Sequence, residues 1–314
     1  MTAEPLIAVA SRSFSSNPQL RAQLLDAFGN CRFNDAGLRL SGDSLAEFLD
    51  GAAGAIVGVE PIDGPLLSRL PHLRVLSKFG VGLDSIDVNE LARRNIVLAA
   101  TLGTNSQAVA ELALLLSMAA LRRLPEALEN TRTEQWSTVT GRLLAGKTVG
   151  LVGVGHVGRA FIELLRPFKC RVLGFDMAPD RTTDVSYVTL PELLSLSDVV
   201  SVHLPLTAAT QGFLGADQIA LMKDRSVLIN TSRGPVIDQA ALVAALQSGA
   251  ISAAGLDVLE HEPPDSWELA RLNNVVLTPH IAGSSEESNM AMGLAALKGL
   301  VDNRRHLLAR PQST

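Results

Sequence analysis

Short β-branched or aliphatic runs alternate with longer stretches of helical period from one end of this chain to the other. Such alternation marks βαβ units, in which helices cover both faces of a sheet and each strand reads as a nearly unbroken apolar run. In the first hundred residues the candidate strands are Leu6–Ala10, Ala55–Val59, Arg74–Ser77 and Ile96–Ala99, separated by helical stretches such as Pro18–Phe28 and Val88–Arg94. A second series follows at Thr148–Gly153, Arg171–Phe175, Val199–His203, Ser226–Asn230, Ala253–Asp257 and Val275–Thr278. The two series predict an α/β chain with two doubly wound parallel-sheet domains. Its 314 residues agree, because a single hydrophobic core stops growing at roughly 250–300 residues.

Between the series, Ser106–Leu124 is rich in Ala and Leu and lacks Gly and Pro, which predicts one helix apolar around most of its circumference. A helix of that kind is buried on several sides, between domains or between subunits. A final helical stretch from Glu286 to Leu308 is long enough to travel back to the first domain.

Charge and cysteine content remove whole classes of function. With 27 Lys plus Arg against 32 Asp plus Glu, the chain lacks the basic surplus that nucleic-acid binding draws on. Cys31 and Cys170 stand far apart with no C-x-x-C, and no metal-ligand spacing links His72, His156, His203, His261, His280 and His306. Neither a metal site nor a disulfide framework is expected, and the thiols suit a reducing compartment. The N-terminal MTAEPLIAVASRS has no basic region of the signal-peptide kind. The longest apolar run, Leu112–Leu121, is about half of the roughly 20 residues a membrane span needs. A cytoplasmic protein without a membrane partner is the expectation.

Gly153-Val154-Gly155-His156-Val157-Gly158 matches G-x-G-x-x-G, and its surroundings give the pattern weight. The run KTVGLVG before it reads as a strand, RAFIELLRPF after it has a helical apolar period, and the next strand ends in Asp176, 18 residues past the last glycine. Gly153 permits a tight turn, Gly155 lets backbone approach a pyrophosphate, and Gly158 lets the helix pack closely on the strand. A carboxylate at Asp176 accepts hydrogen bonds from ribose hydroxyls and repels a 2′-phosphate, which favours NAD over NADP. Arg181, a few residues on, is the one feature nearby that would suit a 2′-phosphate.

Hydride transfer between a nicotinamide and a carbonyl needs a proton donor at the oxygen, a cation to polarise it, and a group that tunes the donor. Arg233, Glu262 and His280 each fall just after a predicted strand of the second series, and ligand sites of open α/β sheets collect at the carboxyl ends of strands. Each also has an ordinary alternative. His280 can be a capped structural imidazole, Arg233 a turn residue or surface ion pair, and Glu262, before Pro263-Pro264, a solvated loop end.

The segments SKFGVGLDSID (Ser77–Asp87), NSQAVAE (Asn105–Glu111), GKTVGLVGVGHVGRA, DVVSVHLPLT (Asp198–Thr207), LINTSRGPVID (Leu228–Asp238), GLDVLEHEPP (Gly255–Pro264) and TPHIAGSS (Thr278–Ser285) stand in one order. Through them the chain resembles the D-isomer-specific 2-hydroxyacid dehydrogenase family from about Ser77 to Asn289. The resemblance implies that Arg233 binds the substrate carboxylate and polarises the 2-oxo oxygen. It implies that His280 is the acid/base and that Glu262 raises and orients it. Phe79-Gly80-Val81-Gly82, preceded by Lys78, is similar to the family's substrate-carboxylate loop, with the amides of Val81 and Gly82 on the anion. Asp257 is similar to the residue that meets the nicotinamide carboxamide, and Thr104, His203, Pro205 and Thr231 fall on cofactor-lining positions beside His156 and Val157. A flavodoxin-like substrate domain (1–102 plus 286–314), a Rossmann NAD domain (103–285) and a homodimer formed through the Ser106–Leu124 region and the arm near Trp136 are also implied.

The substrate is left open among glyoxylate or hydroxypyruvate, phosphoglycerate and a bulkier 2-oxo acid, with a small hydroxypyruvate-like acid expected. Lys78 stands where phosphoglycerate dehydrogenases of the family usually place an Arg, so it suits a phosphate, a second carboxylate or a surface pair. Glu262 counts against formate oxidation, where the family has His-Gln. The second class of function is an NADH-sensing binding protein of the same fold. It is disfavoured because the chain has no Pro-rich or charged recruitment tail.

Overall fold

In a computed structural model that describes residues 4–180 and 185–308, the chain divides into two compact units. One comprises Met1–Asn105 with Ser284–Thr314, the other Ser106–Gly283. The first holds β1 (Ile7–Val9), β2 (Cys31–Phe33), β3 (Gly54–Val57), β4 (Val75–Lys78) and β5 (Val97–Ala99), all parallel in the order β2-β1-β3-β4-β5. That is the flavodoxin-like order. Alternate residues of each strand feed opposite faces. Ala8, Ala10, Ala55, Val57 and Leu76 join one core, while Ile7, Val9, Ile56 and Val75 join another with Leu20, Leu24, Met292, Ala296 and Leu300. The helix Glu286–Asp302 therefore completes the N-terminal sheet. Leu300 is fully buried there, worth about 2 kcal/mol for a side chain of that size, and Ser77 Oγ donates to the Ala296 carbonyl at 2.7 Å.

The second unit holds β6 (Thr148–Val152), β7 (Arg171–Phe175), β8 (Ser186–Tyr187), β9 (Val199–Val202), β10 (Val227–Asn230), β11 (Ala253–Leu256) and β12 (Val275–Leu277). Every pairing is parallel and the order is β12-β11-β10-β9-β6-β7-β8, a Rossmann sheet extended by one strand. Its direction of winding reverses between β6 and β9, and crevices for ligands open at the carboxyl side of such reversals. The helices Ser106–Leu121 and His156–Leu165 pack on one face over Val149, Leu151, Val199 and Ile229.

Three expectations need correction. The helix read as Ser106–Leu124 stops at Leu121, because Arg123 adopts a left-handed backbone (φ 52°) and a new helix, Leu124–Arg132, begins with Pro125 in its first turn. The terminal helix ends at Asp302, and a short turn of helix, Arg304–Leu307, follows after Asn303. Strands β2 and β8, of three and two residues, were not expected at all. Among the described residues no helix is long and apolar enough to cross a membrane.

Candidate active site

The turn from β6 into the helix His156–Leu165 has the geometry that a dinucleotide's pyrophosphate requires. Gly153 sits at φ 98°, which an L side chain rarely adopts, and a Cβ at Gly158 would lie 2.6 Å from the Gly153 carbonyl oxygen. Gly155, by contrast, has nothing within 4 Å of where its Cβ would be, so the loop faces open space there. The exposed His156 is the first residue of the helix, with half-buried Val157 beside it, at the end where free N–H groups and the helix dipole favour an anion. Asp176 follows β7, and its Oδ2 accepts from Val154 N at 2.8 Å while Oδ1 accepts from Ala178 N at 2.9 Å. The carboxylate is thus aimed by the glycine loop itself. Arg181 lies outside the described residues.

Two buried atoms just past the carboxyl ends of this sheet's strands have no partner among the described residues, Thr231 Oγ1 after β10 and His203 Nδ1 after β9. His203 does not offer a charged side chain: burial pushes its pKa down to about 4, Nε2 faces Ser201 Oγ at 3.0 Å, and Phe161 stacks edge-on at 5.7 Å. Its backbone oxygen, near the Cβ position of Gly153, is what shapes the glycine turn. Pro205 is exposed and its carbonyl accepts from Thr210 Oγ1 at 2.6 Å. An open glycine turn, a helix N-terminus, an aimed carboxylate and an unpartnered buried hydroxyl suit a dinucleotide.

In the same unit Glu262 and His280 meet. His280 Nδ1 lies 2.5 Å from Glu262 Oε2, and Glu262 Oε1 accepts from Leu259 N at 3.1 Å. The hydrogen bond to Glu262 raises the imidazole's pKa against the opposing effects of burial and of the Arg233 charge. Burial pushes Glu262 the other way, but the hydrogen bond and charge of His280, the Leu259 amide and the charge of Arg233 together hold it low. Arg233 thus acts electrostatically on both members of the pair.

Two local features produce this convergence. Gly234 lets the turn after β10 close on the 258–262 loop, since a Cβ there would overlap the Leu259 carbonyl. His280 has a left-handed backbone (φ 55°), uncommon outside glycine and typical of functional turns. Asp257, 1% exposed, holds that turn. Its carbonyl accepts from His280 N, Oδ1 accepts from Thr278 Oγ1 (2.6 Å) and Ile281 N (2.8 Å), and Oδ2 accepts from Ala282 N (2.8 Å). Three of about four lone-pair positions of this carboxylate are taken, leaving one for any coenzyme amide. Sequence reading passed over Asn230, 1% exposed, whose Oδ1 accepts from Ser232 N and Oγ while Nδ2 donates to the Arg233 carbonyl, so that it shapes the turn presenting the arginine. An Asn ending an apolar strand was the available signal.

The first unit carries the remaining residues. Phe79 is a core side chain, 8% exposed and edge-on to Phe14, and its N–H donates to Val57 O. Gly80 turns the chain at φ 110°, and the amides of Val81 and Gly82 donate to no other described backbone group. Lys78 is not on the surface but buried at the end of β4. Thr104 is half-buried, with Oγ1 at 3.5 Å from the Thr101 carbonyl. Among the described residues no group of three or more His, Cys, Asp or Glu gathers as a metal site would require.

The family model described as the NAD-binding domain of D-isomer-specific 2-hydroxyacid dehydrogenases matches residues 114–282. Over 257 residues the chain is 38% identical to a glyoxylate reductase of Korarchaeum cryptofilum, covering 78% of this chain and 77% of that one. The NADPH-dependent glyoxylate/hydroxypyruvate reductase of Sinorhizobium meliloti, solved with NADP and malonate, superposes with a TM-score of 0.83 at 31% identity, over 99% of this chain and 100% of that one. D-lactate dehydrogenase of Aquifex aeolicus, solved with NAD and lactic acid, does so with a TM-score of 0.83 at 25% identity, over 96% and 95%. The chain belongs to the D-isomer-specific 2-hydroxyacid dehydrogenase family, whose NAD-binding domain forms its central segment.

Proposed function

We propose that this protein reduces a 2-oxo acid to the D-2-hydroxy acid with NADH, and catalyses the reverse oxidation, using His280 as the acid/base. The observation that carries the reading is the 2.5 Å approach of His280 Nδ1 to Glu262 Oε2, with Arg233 electrostatically coupled to both. Glu262 engages Nδ1, so Nε2 is the position from which the proton passes to the substrate oxygen. The imidazolium left stable by Glu262 is the form needed for reduction, and the neutral ring serves oxidation. Arg233 holds the substrate carboxylate and draws negative charge onto the 2-oxo oxygen. The likeness of Phe79-Gly80-Val81-Gly82 to the family's carboxylate loop assigns the amides of Val81 and Gly82 to anion binding. Bound NADH supplies the hydride to the carbonyl carbon. The glycine loop and the His156 end of its helix would hold the pyrophosphate, Asp176 the adenosine ribose, and Thr231, Pro205, Thr104 and Asp257 the nicotinamide half. Asp176 makes NAD the preferred coenzyme.

The reading includes a homodimer. The helices Ser106–Leu121 and Leu124–Arg132 and the arm after them expose Leu115 (58%), Leu128 (43%), Trp136 (98%) and Leu143 (69%), apolar surface that a second copy would cover. Cys31 and Cys170 are both free thiols, in keeping with a cytoplasmic setting. The reaction is tested by offering a panel of 2-oxo acids with NADH or NADPH and following the nicotinamide absorbance. Oxidation of NADH with short 2-oxo acids is expected. NADH binding without turnover of any acid would sink the catalytic reading in favour of a sensing role.

A further inference from the structure

The amino edge of the second unit's sheet, the end away from Arg233, Glu262 and His280, holds a cavity of about 350 Å³. Its floor is made by residues that lead into three adjacent strands: Arg225 before β10, Ser252 before β11 and Asn274 before β12. Its wall is the junction of the helices Ser106–Leu121 and Leu124–Arg132, together with the segment 140–142 that returns from the arm. That return is fastened closely. Arg142 N donates to the Leu121 carbonyl at 2.8 Å, and a Cβ on Gly141 would stand 2.6 Å from Arg122 Cα.

Two guanidinium side chains line this space with no carboxylate to meet them. Arg142 is half-buried, and its Nη2 donates to Ser252 Oγ at 2.7 Å; that hydroxyl in turn donates to the carbonyls of Arg225 and Ser226, at 2.8 and 2.9 Å. Arg225 is exposed and has a left-handed backbone (φ 60°), a conformation uncommon for such a residue and concentrated at functional positions. Among the described residues neither arginine forms an ion pair, and the one acid lining the cavity, Glu126, is paired with Arg123. Asp198 acts on Arg142 through its charge alone, being itself held by Lys223 Nζ at 2.7 Å and by Thr148 N at 3.0 Å. Burial and the charge of Arg225 both lower the pKa of Arg142, so its positive charge is poorly compensated where it stands.

A planar guanidinium grips an oxyanion through two parallel N–H bonds, and a pair of them with no acid between suits a dianion better than a single carboxylate. The cavity has room for roughly ten waters at about 30 Å³ each, which is more than a bare phosphate fills. Ala120, Leu121 and Pro125 offer apolar wall to a short carbon skeleton. We propose that this cavity is a second ligand site, separate from the coenzyme and substrate sites, and that it takes a small phosphomonoester with the phosphate between Arg142 and Arg225. Bound there, the ligand ties the return of the arm to the turn before β10.

The probe is glycerol 3-phosphate, titrated calorimetrically into the NADH-saturated protein at about pH 8, where the phosphate is a dianion. Inorganic phosphate and glycerol are the comparisons, at fixed ionic strength. One saturable site per chain with a Kd of about 1 mM or tighter is expected, with inorganic phosphate about tenfold weaker and glycerol silent. Arg225→Gln should weaken the ester about tenfold or more, the usual cost of a lost charge-assisted hydrogen bond. Arg225 is exposed and unpaired, so that variant should fold, and Arg142→Gln is read the same way if it does not. A flat wild-type titration overturns the proposal, and if the variants also split a dimer the cavity belongs to the second copy. Undiminished affinity in a folded variant overturns it too, because the phosphate then sits elsewhere. Inorganic phosphate binding as tightly as the ester would overturn the ligand class.

Discussion

The Nδ1 atom of His280 and the Oε2 atom of Glu262 stand 2.5 Å apart, with the imidazole on a left-handed residue and the carboxylate also accepting from Leu259 N. An ion pair in that geometry fixes both the charge and the direction of the ring. Neither property follows from having a histidine and a glutamate in the sequence.

A pH profile should report the pair. His280 is raised above the ordinary imidazole value near 6.5, chiefly by its hydrogen bond to Glu262. Reduction needs the imidazolium, so its rate should persist to higher pH than an ordinary imidazole allows and fall as pH rises through the raised pKa, while oxidation should rise over the same interval. The stabilisation from the pair follows the same sign: present below the unfolded imidazole's pKa and lost as pH climbs through the folded one. In Glu262→Gln the falling edge of the reduction profile should move to lower pH. An edge that stays put would show that Glu262 does not tune the ring.

Removing the ring separates chemistry from coenzyme binding. His280→Ala should lower turnover by about 100-fold or more, the usual range for a lost general acid. NADH affinity, followed by fluorescence titration, should survive, because the glycine loop and Asp176 are untouched. Comparable turnover in the variant would take His280 out of the mechanism.

Gly234→Ala tests whether the close approach of two loops builds the site. The added methyl overlaps the Leu259 carbonyl, so the 258–262 loop must shift and Glu262 with it. A destabilisation of about 1–3 kcal/mol is expected from overpacking, measured by denaturant unfolding. A drop in kcat and a lowered edge of the pH profile should accompany it. Loss of stability with an intact pH profile would confine Gly234 to packing.

Asp176→Ala removes the carboxylate that the glycine loop aims through Val154 N. Loss of a charge-assisted hydrogen bond to ribose and of the repulsion toward a 2′-phosphate should shrink the ratio of NADH to NADPH efficiency by about tenfold or more. An unchanged ratio would place coenzyme choice elsewhere, with Arg181 the next residue to change.

Much of the fold could be read from the residues alone. Arg171–Phe175 and Pro18–Phe28 were read to the residue, because a buried strand is an unbroken apolar run and an amphipathic helix repeats every 3.6 residues. Cys31–Phe33 and Ser186–Tyr187 were not, since CRF and SY lack the aliphatic run that marks the equally short Ile7–Val9, Val97–Ala99 and Val275–Leu277. The break at Arg123 was missed because a single left-handed residue leaves no mark in a run of helix formers, and Pro125 fell just past the chosen boundary.

Local patterning determined the α/β class, the two sheets, the glycine turn and the short list containing Arg233, Glu262 and His280, because each depends on neighbours within a turn or a strand. Only the tertiary structure decided that Lys78 is buried and donates to the Gly58 carbonyl and that Asp257 holds the His280 turn. It also decided that His203 faces inward as a neutral ring and that Gly234 brings two loops together. These contacts join residues that can be far apart along the chain, and a side chain's charge, direction and free valences are settled by what packs against it.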